Sequence, residues 1–183
     1  MRYKFLMTTL LASVIFTYSG LAEEKIQQEN VQSTKGWLSL GIGGSHFGLC
    51  FYGNFTYSYG NNLFTVRYFK ADEFVFNVDG VYDKPFLTCK EFGILYGLSY
   101  IEANAQLSIS AGIGYVSGTD RGNKIDNYHQ FEPINISTLG VPFEVKFQTR
   151  IVGPIGFGGA WFGNINSTKS YTGFILEISI GVL

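Results

Sequence analysis

Apolar and polar side chains alternate with a period of two along much of this chain. The final segment, residues 173–183, has an apolar residue at every second position: Phe174, Leu176, Ile178, Ile180 and Val182. Glu177, Ser179 and Gly181 stand between them. Successive side chains of a β-strand point to opposite faces, so this segment has one apolar face and one small or charged face. The pattern predicts a strand whose two faces lie in different environments.

The same alternation predicts eight strands, at residues 37–43, 47–59, 63–76, 89–101, 106–117, 137–148, 155–165 and 173–183. Tight turns are predicted at Gly44-Ser45, Asn61-Asn62 and Ala103-Asn104, where glycine and asparagine tolerate positive φ. These turns pair apolar residues with one another, and examples are Ile42 with Phe47, Tyr59 with Phe64, and Tyr100 with Leu107. Directly paired residues share a face, so the three hairpins give one consistent apolar surface.

Two places do not fit a plain ladder. A two-residue turn at Asp79-Gly80 would oppose Tyr68 to Glu91, which belong to different faces. One extra residue is therefore expected between strands three and four, with a bulge at Pro85. Pro142 lies inside the sixth strand, where a similar irregularity of the ladder is expected.

Each strand presents apolar side chains on one face and small or charged ones on the other. In the sixth strand the outward set is Leu139, Val141, Phe143, Val145 and Phe147, and the inward set is Glu144, Lys146 and Gln148. An apolar outer wall around a polar interior is the pattern of a membrane-spanning barrel. We predict an all-β fold, an eight-stranded antiparallel transmembrane β-barrel with up-and-down meander topology, whose interior is filled by side chains.

Composition and the N-terminus agree with export to a membrane. Of 183 residues, 15% are charged and 17% aromatic, and the net charge of −1 argues against nucleic-acid binding. Residues 1–22 are predicted to be a signal peptide, because a basic start precedes an apolar run and a small-x-small site at Gly20-Leu21-Ala22. Residues 23–36 form a flexible periplasmic lead-in and 37–183 the barrel domain. Short links at one end and long ones at the other predict the outer membrane of a Gram-negative bacterium.

Four inward-facing charged residues are predicted to meet inside the barrel: Arg67, Glu144, Lys146 and Glu177. Buried charges must pair, so a salt-bridged cluster that fills the lumen is the main interpretation. A gated ion path or a proton relay is the alternative. Glu91 is expected to lie higher and apart from this cluster.

The remaining reactive residues predict no chemistry. Cys50 lies on the second predicted strand and Cys89 on the fourth, so the third strand lies between them. Two alternatives are therefore open: a disulfide, as exported proteins often contain, or two free thiols. The two histidines, His46 and His129, lack a nucleophile and an orienting group in the pattern that a hydrolase needs. No metal-ligand spacing is present, so we expect no metal, no cofactor and no enzyme activity.

The second outer loop carries aromatic residues that are candidates for contact with a protein partner: Phe74, Phe76, Tyr82 and Phe86. An exposed hairpin of this kind offers strand edges to a partner. Packing of the loop over the barrel mouth is the alternative.

The segment Ile136-Ser-Thr-Leu-Gly-Val-Pro-Phe-Glu-Val-Lys146 resembles a strand of the PorT-like barrels, and the run from Gly153 and the ending from Gly173 fit the same style. From about Trp37 to Leu183 the chain is similar to small outer-membrane barrels of the OmpX/OmpA type. The resemblance implies the fold, the outer membrane, its lipid as surroundings and the barrel assembly machinery as a partner. The chain departs from the family at Leu183, because such barrels usually end in an aromatic residue.

The expected role is structural or interactive, exerted through the outer loops around a plugged polar lumen. A small channel is one alternative, because inward glycines such as Gly41 and Gly43 leave space. A secreted lipocalin-like carrier of an apolar ligand is another, and it would require the apolar face to point inward.

Overall fold

The computed structural model describes residues 34–73, 87–124 and 131–181, and its regular structure is entirely β. The strands are β1 (Thr34–Ser45), β2 (Gly48–Tyr59), β3 (Asn62–Asp72), β4 (Thr88–Glu102), β5 (Ala105–Lys124), β6 (Phe131–Val152), β7 (Ile155–Asn166) and β8 (Tyr171–Gly181). Each strand pairs with the next, and β8 pairs antiparallel with β1 to close the barrel. The prediction of an all-β, eight-stranded, up-and-down barrel is confirmed.

The strands are staggered around the barrel. A row of paired residues that starts at Lys35 passes once through β2 to β8 and returns to β1 at Ser45, ten residues further along. Closure of a barrel requires such a stagger, which tilts the strands against the axis. Inward side chains from neighbouring strands therefore interleave in height.

One end of the barrel, here called the turn end, has three tight links. They lie at Gly60-Asn61, Ala103-Asn104 and Gly153-Pro154, and positive φ occurs at Gly60, Ala103 and Gly153. The predicted Ala103-Asn104 turn is confirmed, since Tyr100 pairs with Leu107. The predicted Asn61-Asn62 turn is wrong by one residue, because glycine takes the left-handed position at Gly60. The faces of β2 and β3 are unchanged by this shift.

The predicted turn at Gly44-Ser45 is wrong. The chain reverses at His46-Phe47, and Ile42 pairs with Phe51 instead of Phe47. Ser45 Oγ accepts a hydrogen bond from Phe47 N at 3.2 Å, and Gly48 adopts a φ of 119° that other residues rarely take. Phe47 consequently lies inside the barrel, 1% exposed, rather than on the outer wall.

The expected irregularities have different outcomes. Tyr68 pairs with Phe92, so β3 and β4 carry the one extra residue that the sequence required. The turn at Asp79-Gly80 and the bulge at Pro85 lie outside the described residues, as do residues 1–22. Around Pro142 the ladder to β5 breaks after the pair Ala111–Phe143 and resumes in the same register, so no residue is added there.

The two faces of the wall are as predicted. Outward apolar side chains are highly exposed, with Ile113 at 71% and Leu139 at 69%, whereas the inward residues Ser110 and Glu144 are nearly inaccessible. No helix among residues 34–73, 87–124 and 131–181 is long and apolar enough to cross a membrane. The exposed apolar side chains of the eight strands give the barrel wall its apolar exterior.

Closure of the barrel depends on a glycine in β1. A Cβ at Gly43 would lie 1.9 Å from the carbonyl oxygen of Phe174 in β8. We expect Gly43→Ala to destabilise the barrel by about 1–3 kcal/mol through this overlap. Gly44→Ala is the matched control, because nothing lies within 4 Å of its added Cβ. The unfolding midpoint in urea, followed by gel mobility without boiling, measures both, and equal midpoints would contradict the role of Gly43.

Candidate functional site: the barrel interior

The charged side chains inside the barrel form one connected network. It runs from Glu177 through Lys146, Glu144 and Arg67 to Glu91. All five side chains are buried. The structure therefore brings together the four residues that the sequence placed in a cluster, and it adds Glu91.

The expectation that Glu91 lies apart is wrong, because Arg67 binds it. Arg67 Nε donates to Glu91 Oε1 at 2.9 Å, and Arg67 Nη2 contacts the same oxygen. The residue paired with Arg67 on β4 is Gly93, which has no side chain to obstruct the guanidinium on its way to Glu91. The second oxygen, Oε2, accepts hydrogen bonds from Asn164 Nδ2 at 2.7 Å and from Tyr171 Oη at 2.5 Å. Both oxygens of Glu91 are thus bonded.

Glu144 occupies the centre of the network. Its Oε1 lies 3.2 Å from Lys146 Nζ, and its Oε2 lies 3.5 Å from Arg67 Nη1. The Tyr52 hydroxyl donates a hydrogen bond to Oε2. Lys146 Nζ also stands 5.5 Å from the centre of the Tyr52 ring, a cation–π distance. Glu144 is therefore bonded by two cations and one hydroxyl group.

Glu177 is the member of the network that lies nearest the turn end. Its Oε1 lies 3.3 Å from Lys146 Nζ and accepts a hydrogen bond from Gln148 Nε2 at 2.7 Å. Gln148 Nε2 is also 3.3 Å from Ser39 Oγ. The residue paired with Gln148 and Glu177 on the intervening strand is Gly158, so these two side chains meet over a glycine.

An aromatic layer lies between the network and the loop end, the end opposite the turns. It consists of Phe47, Phe69, Phe162 and Tyr171, all 3% exposed or less. Phe69 is 5.0 Å from Phe162 and 5.2 Å from Tyr171, measured between ring centres. Phe47 meets Tyr171 at 5.6 Å. This layer is absent from the sequence prediction of an interior that is polar throughout, although the alternation already puts Phe69 on the inward face of β3.

Salt bridges span the mouth of the barrel above the aromatic layer. Lys169 Nζ lies 2.5 Å from Asp120 Oδ2 and 5.3 Å from the centre of the Phe47 ring. Arg121 pairs with Glu73. The loop residues proposed for partner contact, Phe74, Phe76, Tyr82 and Phe86, lie outside the described residues.

The two cysteines are free thiols, so the disulfide alternative is not realised. Cys50 and Cys89 pair with the same residue, Ala71, from opposite sides of β3. A whole strand therefore separates them, and neighbouring strands lie about 4.8 Å apart. Their Cα atoms are consequently too far apart for a bond, which requires about 7 Å or less.

Metal-binding geometry is not found in the described residues. No group of three His, Cys, Asp or Glu side chains there could hold a metal ion. His46 lies in the β1–β2 turn, where its backbone N donates to Thr172 O at 3.2 Å, and its ring stacks edge-on against Phe47. His129 lies outside the described residues.

Comparison with known proteins identifies the fold. No protein-family model matches the chain, and no curated protein matches it. Among solved structures, it is similar to a major outer membrane protein from Thermus thermophilus, with a TM-score of 0.60 and 9% identity over 81% of this chain and 99% of that one. The N-terminal β-barrel domain of Pseudomonas aeruginosa OprF gives a TM-score of 0.56 and 9% identity over 80% and 96%.

The attachment invasion locus protein of Yersinia pestis, Ail, is a third similar structure, with a TM-score of 0.55 and 12% identity over 81% of this chain and 99% of that one. Identities this low establish a shared fold alone. The predicted resemblance to small outer-membrane barrels is confirmed at the level of the fold.

Proposed function

We propose that this chain is an integral outer-membrane barrel of a Gram-negative bacterium, with a plugged lumen and a structural or interaction role exerted at its loop end. The apolar exterior supports the membrane position, because a protein in water would bury these side chains. The interior holds the charged network instead. This arrangement is the reverse of a lipocalin-like carrier, whose apolar face points inward.

The observation that carries the plugged lumen is a set of contacts between opposite sides of the barrel. Strands four apart in a ring of eight face each other across its axis. Such strands are joined by Tyr52 with Glu144, by Arg67 with Gly163 O, and by Phe69 with Phe162. Glu91 and Tyr171 make a fourth contact of this kind. Side chains that touch across the axis leave no open path between them, which argues against the channel alternative.

The β5–β6 hairpin supports a role at the loop end. Pairing of β5 with β4 stops at Thr119, and pairing of β6 with β7 starts only at Gly140. Residues 120–124 and 131–139 therefore have one strand neighbour each within the described chain. Unpaired strand edges are surfaces that can accept another chain. We assign a protein partner to this hairpin and to the aromatic loop at residues 74–86.

Orientation and location can be tested together by labelling single cysteines on intact cells. Asn123 is exposed in the β5–β6 hairpin, and Asn104 is exposed in a link of the turn end. We expect a membrane-impermeant maleimide to label Asn123→Cys on intact cells, and Asn104→Cys only after the outer membrane is disrupted. The native thiols are buried and give the unlabelled background. Labelling of Asn123→Cys only after lysis would contradict the proposed location.

A further inference from the structure

Four polar side chains converge inside the barrel below the charged network: Ser39, Asn54, Glu177 and Ser179. Ser39 is paired with Asn54 on one side and with Ser179 on the other, and Glu177 lies on the same face of β8. All four are at most 2% exposed. We call this group the lower polar site. Gly41, the β1 partner of Glu177, contributes no side chain to it, and Ile175 Cγ2 packs where a Cβ of residue 41 would lie.

Polar atoms of three of these side chains lack a partner in the protein. They are Asn54 Nδ2, Glu177 Oε2 and Ser179 Oγ. Buried polar atoms are costly when they are left unbonded, and nearly all of them have a partner in folded proteins. The unbonded atoms on Glu177 and Ser179 are oxygens that lie on one face of one strand. Both atoms can act as acceptors toward a positively charged group.

The charge of the network is not balanced. Among the described residues, the buried charged side chains are Arg67 and Lys146 against Glu91, Glu144 and Glu177, which leaves one negative charge in excess. Burial of an unpaired charge costs several kcal/mol. Both oxygens of Glu91 and of Glu144 contact donors. The excess charge therefore falls on Glu177 Oε2.

We propose that the lower polar site binds one small monovalent cation, with Glu177 Oε2 and Ser179 Oγ as its protein ligands. Carboxylate and hydroxyl oxygens are ligands that hard cations prefer. A single charge restores neutrality, whereas a divalent ion would leave one positive charge in excess. Asn54 Nδ2 is a donor that faces the Glu177 carboxylate, so it is not a ligand of the ion. The aromatic layer separates this site from the loop end, and Trp37 and Leu63 are buried between it and the turn end.

The dependence of stability on sodium tests this site. We would measure the urea unfolding midpoint in lipid vesicles at constant ionic strength while sodium chloride replaces choline chloride, whose cation is too large for the site. A ligand that binds only the folded state raises stability with its concentration. We expect the wild-type midpoint to rise with sodium and the midpoint of Glu177→Gln to be independent of it. Glu102→Gln, at an exposed position, is the control that keeps the wild-type response.

Anomalous diffraction from crystals soaked in thallium(I) locates the ion directly. The expected result is one peak within bonding distance of Glu177 Oε2 in the wild type, weakened in Ser179→Ala. Ser179→Ala retains all five network charges, so it serves if Glu177→Gln does not fold. Equal wild-type stability in sodium and choline, or crystals without a peak at Glu177, would overturn the proposal and assign the missing positive charge to a proton. Neither result depends on the partner proposed for the loop end.

Discussion

Replacing Arg67 with methionine should lower the unfolding free energy by about 3–5 kcal/mol. The substitution removes a cation from a buried ion network and leaves its carboxylate partners in place. Arg67 is fully buried and binds Glu91, Glu144 and two backbone carbonyl oxygens, those of Phe143 and Gly163. Its loss leaves Glu91 without a cation and Glu144 with Lys146 alone. The methionine fills much of the volume, so the loss is mainly electrostatic.

Equilibrium unfolding in urea, in lipid vesicles, measures this loss. Lys70→Met is the matched control on the same strand, because the Lys70–Asp72 pair is 40% and 43% exposed and exposed pairs contribute little. The double variant Arg67→Met with Glu91→Gln should recover part of the stability, since it removes both members of the strongest pair. A fully stable Arg67→Met protein would show that the network does not hold the barrel together.

Removing two rings of the aromatic layer should turn a silent barrel into a conducting one. Phe69 and Phe162 come from facing strands and meet at 5.0 Å, so their rings close the interior at that height. The variant Phe69→Ala with Phe162→Ala should lose about 3–5 kcal/mol for each ring. Below the opened layer, ions would still meet the charged network, so we expect conductance events that are small and flickering.

Planar-bilayer recording compares this double variant with the wild type and with Phe157→Ala. Phe157 is on β7, like Phe162, but points outward at 42% exposure. We expect the wild type and Phe157→Ala to give no events. Regular conductance steps from the wild type would refute the plugged lumen and favour the channel alternative.

The faces of the strands could be predicted from the sequence, but the register could not always be. Side-chain alternation fixes which residues share a face, and a shift of an even number of residues leaves the faces unchanged. At β4–β5 the correct turn was the one that paired Tyr100 with Leu107. At β1–β2 the wrong turn also paired apolar residues, Ile42 with Phe47, so the alternation could not distinguish it from the correct turn. The glycine at 48 and the capping Ser45 decide that turn.

The inward position of the charged residues could be predicted for the same reason, but their partners could not. The Arg67–Glu91 contact depends on the β3–β4 register that pairs Arg67 with Gly93, and the sequence left this register uncertain by one residue. The aromatic layer depends on strands that meet across the axis. Distances across the barrel follow from its closure and stagger, which alternation along a strand does not encode.

Spin-label accessibility along β6 tests whether an apolar wall faces lipid around a polar interior. Single labels would be placed at each position from 143 to 148 in lipid vesicles, and collision rates with oxygen and with a water-soluble nickel complex compared. We predict high oxygen and low nickel accessibility at Phe143, Val145 and Phe147, and low values for both at the positions between them. High nickel accessibility at those three outward positions would place the wall in water and rule out the membrane-spanning barrel.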